Sequence, residues 1–216
     1  MPRISDKLRE DRRQAIVQAA VDCLAVHGYA GTSMRTIAEA VGLTKGGLYP
    51  YFPNKDAILL AVSDRYLEHV VARLKPRDGV DPVRQLTEYL DDFEAAFHDP
   101  GIVSVRRAVL DLWLSAADSP AVRRSIERRF EAMGEGLAAL VRRGQDEGLL
   151  RRDVSPELVA GLVLAARDGM LFQKVKLSAP VPVRELTELL KRMLVDALAA
   201  PAAATRRRTG RVSVRG

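Results

Sequence analysis

The chain has 216 residues, enough for one large or two small domains with a substantial buried core. Its net charge of +6 is concentrated near the end, where Arg206, Arg207, Arg208, Arg211 and Arg215 stand without an acid, so the body is nearly neutral and overall charge says little about nucleic acid. The single cysteine, Cys23, excludes an intramolecular disulfide and implies a reducing compartment, no apolar run approaches the ~20 residues of a membrane span, and MPRISDKLREDRR lacks an apolar signal core, so a cytoplasmic location away from membranes is expected.

Apolar residues recur at helical spacing nearly throughout, and no alternating strand pattern is evident, which predicts an all-α fold of about nine helices. The first helix is expected from Arg12 to His27, with Ile16, Val17, Ala20, Val21 and Leu24 on one face and Gly28 ending it. Ser33 is a good N-cap for a second, short helix that buries Ile37, Ala38 and Val41, and Gly42 supplies a left-handed end. Thr44 caps a third helix whose first turn holds only Lys45, Gly46 and Gly47, so its free backbone N–H groups stay open to a phosphate or base edge.

Lys45 and Lys55 each follow a probable cap, Thr44 and Asn54, placing both cations at the positive ends of helix dipoles. Each position costs roughly 0.3–1 kcal/mol, and a DNA phosphate would reverse the sign. With Tyr49 and Tyr51 between them, the pair points to duplex DNA as the partner rather than to a solvated face.

Pro53 breaks the chain before a fourth helix, from Asn54 to Leu74, that links a head, residues 1–53, to a larger body, residues 54–199. In the body, Val83, Leu86, Leu90, Phe93 and Phe97 mark an amphipathic fifth helix. A sixth carries Val105, Val109, Leu112, Trp113 and Ala116, and a seventh carries Val122, Ile126, Phe130, Met133, Leu137 and Leu140. Arg123, Arg124, Glu127, Arg128 and Glu131 on the other side of the seventh read as a solvated face.

The eighth helix, Pro156 to Lys176, is apolar around its circumference from Leu158 to Ala166 and needs covering on more than one side. Gly161, Ala165 and Gly169 form a shallow stripe along it. The ninth, Val183 to Ala199, offers Leu190 and Leu194 among its apolar positions. The two helices are expected to pack on each other and still present a two-fold surface, giving a homodimer with Gly161, Ala165, Gly169, Leu190 and Leu194 at the seam. Residues 200–216 are basic, lack apolar periodicity and are expected to be disordered.

The stretch RRQAIVQAAVDCLAVHGYAGTSMRTIAEAVGLTKGGLYPYFPNKDAILLAV resembles the N-terminal domain of the TetR family of bacterial transcriptional regulators. The resemblance implies a homodimeric repressor that binds a palindromic operator and is released by a small molecule. Carried over by position, it implies DNA contacts from Arg35, Thr36, Thr44, Lys45, Gly46, Tyr49 and Tyr51, with Lys55 on a phosphate. Pro50 departs from the family pattern, and as a helix breaker it should end the third helix early, around Tyr49. The body looks similar to members related to the choline-responsive repressors, but its residues name no effector.

Phe93, Phe97, Trp113, Phe130, Met133 and Phe172 are candidates to wall an effector cavity, since such cavities are mostly apolar. Asp168, set after an apolar stretch and beside Arg167, is the polar candidate, and Asp111 is a further polar insertion. No enzyme chemistry, metal or other cofactor is expected, because His27, His69 and His98 are far apart and no cluster has metal-ligand spacing. The alternatives are a transcriptional activator or a ligand-independent DNA-binding protein and, remotely, an enzyme.

Overall fold

The structure, a computed structural model, describes residues 6–115 and 119–200. Among these residues the chain forms nine α-helices: α1 (Asp6–Gly31), α2 (Met34–Ala40), α3 (Lys45–Leu48), α4 (Lys55–Leu74), α5 (Pro82–Ala95), α6 (Pro100–Ser115), α7 (Pro120–Asp146), α8 (Pro156–Leu171) and α9 (Val183–Leu198). A single antiparallel bridge joins Leu150 to Ala199. Ala116 and the expected basic tail after Ala200 lie outside the described residues.

The first helix starts earlier than its apolar stripe suggested. Its added turn is polar, yet Arg9 donates to the Pro50 carbonyl at 3.2 Å and Arg13 to the Tyr51 carbonyl at 3.1 Å, with the Arg13 guanidinium 4.2 Å above the Phe52 ring. At the other end, Gly28 takes a φ of 65° and breaks regular helix geometry where expected. One further turn runs on to Gly31, and Thr32 Oγ1 satisfies the Gly28 carbonyl at 2.7 Å.

Ser33 and Thr36 form a reciprocal capping box at the start of α2. Gly42, at a φ of 67°, closes its end, with Leu43 N bonded to Ala38 O and Gly42 N to Glu39 O. The third helix stops at Leu48, and Tyr51 N then bonds to Leu48 O at 2.9 Å in a tightened turn around Pro50.

The head's apolar core does not close at Pro53. Ile16, Val17, Ala20, Leu24, Ile37, Leu48 and Phe52 pack in one cluster with Ile58, Leu59 and Val62 of α4, Ala108 and Leu112 of α6 and Val122 of α7. The long contact is α1 against α6. A Cβ built on Gly101 would lie 3.3 Å from Ala25 Cβ, so glycine lets the start of α6 approach α1 closely.

A second core lies distally, around Leu74, Leu86, Leu90, Met133, Leu137, Val141, Leu150, Val163 and Leu194. Here α8 rests on α7 and α9 on α5, rather than chiefly on each other as expected. A third cluster joins Phe93 to Met170, Leu171, Val175 and Val183. The eighth helix does not run unbroken to Lys176: Phe172–Lys176 is a π-helical turn, with Leu177 N reaching Phe172 O at 3.2 Å, and an ion pair from Lys176 to Asp111 fastens it to α6.

Candidate functional site

Three helix starts converge on one open cleft in the head, lined by Ser33, Arg35, Lys45, Tyr49, Asn54 and Lys55 among others. Each helix is capped by its own sequence: Ser33 Oγ accepts from Thr36 N, Thr44 Oγ1 from Gly47 N at 3.1 Å and Asn54 Oδ1 from Ala57 N at 2.8 Å. Thr44, Lys45, Gly46 and Tyr49 are all exposed at α3. Arg35 is exposed on α2, paired with Glu39 at 2.8 Å.

Three of the expected contact residues carry a second load. The Thr36 hydroxyl belongs to the capping box, and Tyr51 is partly buried against the head core. Lys55 donates to the Tyr29 carbonyl at 2.5 Å, with its ammonium 3.7 Å from the centroid of the Tyr29 ring. Its partial burial lowers its pKa from the ordinary lysine value, against a smaller opposing pull from Asp56.

A cavity of about 450 Å³ lies between head and body. Gln18, Val21 and Ala25 of α1 form one wall, Val62 to His69 of α4 a second, and Ile102 to Trp113 of α6 a third, while Arg129 of α7 with Arg167 and Leu171 of α8 close the far end. Arg65, His69 and Asp99 sit toward the outer edge, with His69 and Asp99 exposed.

Three buried guanidiniums meet at this far end: Arg106, Arg129 and Arg167 are 6%, 5% and 2% exposed. Arg106 donates to Tyr66 Oη at 2.8 Å and stacks 5.0 Å from the Phe97 ring. Arg167 donates to Tyr89 Oη at 3.2 Å and lies 3.5 Å from the Asp168 carboxylate. Arg129 lies 5.1 Å from the Trp113 ring and 5.6 Å from that of Tyr66. Among the described residues no hydrogen bond or ion pair reaches the Arg129 guanidinium, and Trp113 Nε1 is buried without a partner.

The titration behaviour follows from this crowding. Desolvation, followed by repulsion from Arg167, pushes Arg129 down to about 10, still charged at neutral pH. Burial alone would raise the Tyr66 phenol, but Arg106, Arg167 and Arg129 together bring it below its ordinary value.

Of the expected cavity residues, Trp113 is the one that lines the cavity. Phe93 and Phe97 form an edge-to-face pair that backs Arg106 instead. Met133 is buried in the distal core, its sulfur 3.6 Å from Arg167 Nη1, and Asp168 does not line the cavity but pairs with Arg167 and acts on Arg129 at longer range. Phe130 is 42% exposed and Phe172 37% exposed. The buried line of α7 runs through Ser125, Arg129, Met133 and Leu137, so the stripe read through Phe130 is one residue out of phase there.

Arg106 and Arg129 were missed for the same reason. Each occupies a core-facing position in the i, i+3, i+4 pattern, where a charged residue reads as a gap in the stripe. That spacing was the available signal.

The expected seam divides. Gly161 and Ala165 are exposed and Gly169 half-buried, but Leu194 is buried in the protomer's own core and Leu190 packs beside it. The outward large apolar residues of α8 and α9 are Leu158, Leu162, Leu186, Leu189, Met193 and Val195. Among the described residues no group of three His, Cys, Asp or Glu side chains is placed to hold a metal, and no helix is long and apolar enough to cross a membrane.

A capped helix-turn-helix with an exposed, glycine-opened second helix, joined to a helical body with an internal cavity, defines a DNA-binding transcriptional regulator. Two family models match the chain: bacterial regulatory proteins of the tetR family over residues 16–62, and the C-terminal domain of the BetI-type transcriptional repressor over residues 93–199. The chain belongs to the TetR family.

The HTH-type transcriptional repressor DhaR of Mycobacterium sp. (strain GP1) is 26% identical over 168 residues, spanning 74% of this chain and 81% of that one. A TetR transcription regulator from Haloarcula marismortui shares the fold with a TM-score of 0.74 at 25% identity, over 88% of this chain and 99% of that one. SmeT, the repressor of a Stenotrophomonas maltophilia multidrug efflux pump, has been solved with triclosan. That structure matches with a TM-score of 0.72 at 23% identity, over 89% of this chain and 93% of that one.

Proposed function

We propose that this protein is a cytoplasmic, ligand-responsive repressor that binds a palindromic operator as a homodimer and is released when a small molecule fills the cavity. The observation that carries the reading is the shared wall: α1 braces the DNA-reading helices on one side and lines the cavity with Gln18, Val21 and Ala25 on the other. A ligand that prefers one spacing of α1 against α4 and α6 shifts the population of DNA-competent heads, and ~1–3 kcal/mol of differential affinity suffices for regulation. The repressor relatives and the triclosan complex of SmeT support the same reading.

In this reading residues up to Pro53 form the reading head and residues 54–199 the sensing and pairing body. Arg35, Thr44, Lys45, Gly46 and Tyr49 meet phosphates or base edges, with Thr36 and Tyr51 placing them and Lys55 adding charge at the edge of the cleft. Pairing uses outward residues of α8 and α9, with Leu158 and Leu162 beside the Gly161 and Ala165 stripe on α8 and Met193 on α9. Neither an enzymatic role nor a cofactor is part of the reading.

The test is selection of genomic fragments by the purified chain at low ionic strength, followed by footprinting. An enriched inverted repeat, protected by two protomers and freed by an added small molecule, is the expected outcome. No enriched repeat ends the proposal. A repeat that no ligand releases would leave a DNA-binding protein and remove its effector.

A further inference from the structure

We infer that the effector is an anionic amphipath, a carboxylate or similar acid carried on an apolar body, with its head held by Arg106, Arg129 and Arg167. The inference deepens the effector reading above and rests on it for the cavity's role. Charge balance carries it. Of the three buried guanidiniums, one alone has a carboxylate within ion-pair distance among the described residues, Arg167 with Asp168 at 3.5 Å.

Charge buried in this way is costly unless it is paired, and among the described residues neither Arg106 nor Arg129 has a carboxylate within ion-pair distance, Asp168 acting on Arg129 only at longer range. Arg106 is partly satisfied by Tyr66 Oη and the Phe93 carbonyl, but Arg129 rests only on the faces of Tyr66 and Trp113. Desolvation and then repulsion from Arg167 lower the Arg129 pKa, and the three guanidiniums lower the Tyr66 phenol, as crowding of buried cations requires.

Between that end and the polar rim of Gln18, Arg65, His69 and Asp99, the cavity is walled by Val21, Val62, Ile102, Val105 and Val109, so the head group needs a hydrophobic body behind it. Its volume of about 450 Å³ falls within the ~300–1,000 Å³ of small-molecule sites. A quaternary ammonium fits poorly. It would meet three like charges, and the aromatic faces that could stack on it are already covered by guanidiniums.

The full chain is titrated calorimetrically with octanoate, 1-octanol and octyltrimethylammonium, and with 4-phenylbutyrate and 4-phenylbutanol. Trp113, the chain's sole tryptophan, reports occupancy by its emission. Each acid is expected to bind at least tenfold more tightly than its alcohol and to shift that emission, while the ammonium does not bind. Arg129→Met, checked for folding by its melting curve, should bring acid and alcohol to the same affinity, and Arg106→Met should do likewise.

Equal binding of acid and alcohol, binding of the ammonium, no binding of either acid, or an acid preference that survives both substitutions would overturn the inference. Operator release is assayed separately. Selective acid binding without release keeps the anion site and sinks the regulatory reading, whereas release by a neutral compound with no acid binding does the reverse.

Discussion

Gly101 at the start of α6 lies against Ala25 of α1, where an added Cβ would sit 3.3 Å from the alanine methyl. This contact sets the separation between the DNA-reading head and the cavity wall. Gly101→Val should wedge the two helices apart and cost about 1–3 kcal/mol, the usual penalty for overpacking. Operator affinity should fall at least tenfold, while α2, α3 and their caps stay intact. Melting curves and fluorescence anisotropy with labelled operator measure the two effects. A variant that melts lower but binds operator normally would remove this contact from the coupling.

The two lysines of the cleft should behave differently. Lys45 is exposed and makes no ion pair among the described residues, so Lys45→Ala should weaken operator binding, blur sequence preference and flatten the salt dependence by about one counterion. Lys55 already holds Tyr29 through its carbonyl and ring, so Lys55→Met should also lower stability, by about 1 kcal/mol. Binding isotherms at several salt concentrations, beside chemical denaturation, separate the roles.

Tyr66 gives a pH signature. Its folded pKa lies below the ordinary value near 10, so in the window just under 10 the unfolded chain keeps a proton that the folded chain has lost. Stability from this group therefore rises with pH across that window, is complete above it and is lost as pH falls through the folded value. An ionised phenolate would also answer the charge of Arg106, Arg129 and Arg167, with Asp168 and Tyr89 nearby, so affinity for an acid should fall across the same range. Tyr66→Phe should weaken both trends, and what remains belongs to Arg129, which at about 10 loses its charge in the same range; pH-dependent melting and acid titration follow both.

Leu162 projects from α8 at 60% exposure, whereas Leu194 is enclosed at 6%. Leu162→Glu should leave the melting behaviour of the protomer nearly unchanged, within about 0.5 kcal/mol, and produce monomers with little operator affinity. Gly161→Leu on the same face should act likewise. Light scattering at micromolar concentration reads the outcome, and an intact dimer from both variants would move the interface elsewhere.

The helices were legible because their punctuation is strong. Ser33, Gly42, Thr44, Asn54 and Pro156 each mark a start or stop that the structure keeps, and even the early end at Pro50 follows from chemistry local to α3. What lay hidden depends on partners distant in sequence. The polar first turn of α1 holds together with Arg9 and Arg13 on carbonyls some forty residues away, a pairing no local pattern contains.

The cavity was harder to see for a related reason. A charged side chain reads as pointing outward, so Arg106 and Arg129 do not announce a site although their spacing faces the interior. The stripe drawn through Phe130 instead of Arg129 shows how one residue of phase moves a site to the wrong side of a helix. Likewise, Leu190 and Leu194 looked available for pairing because sequence spacing cannot say which of two apolar stripes the protomer itself consumes.

The continuity of one apolar cluster from Ile16 through Leu59 to Leu112 and Val122 also bears on engineering. A fragment cut at Pro53 would leave the inner side of α1 without its cover from α4 and α6, so the reading head is not a portable module. Chimeras that transplant a new operator preference onto this sensor will keep their switch only if Ala25 and its neighbours on α1 travel together with the matching surface around Gly101 and Ala108.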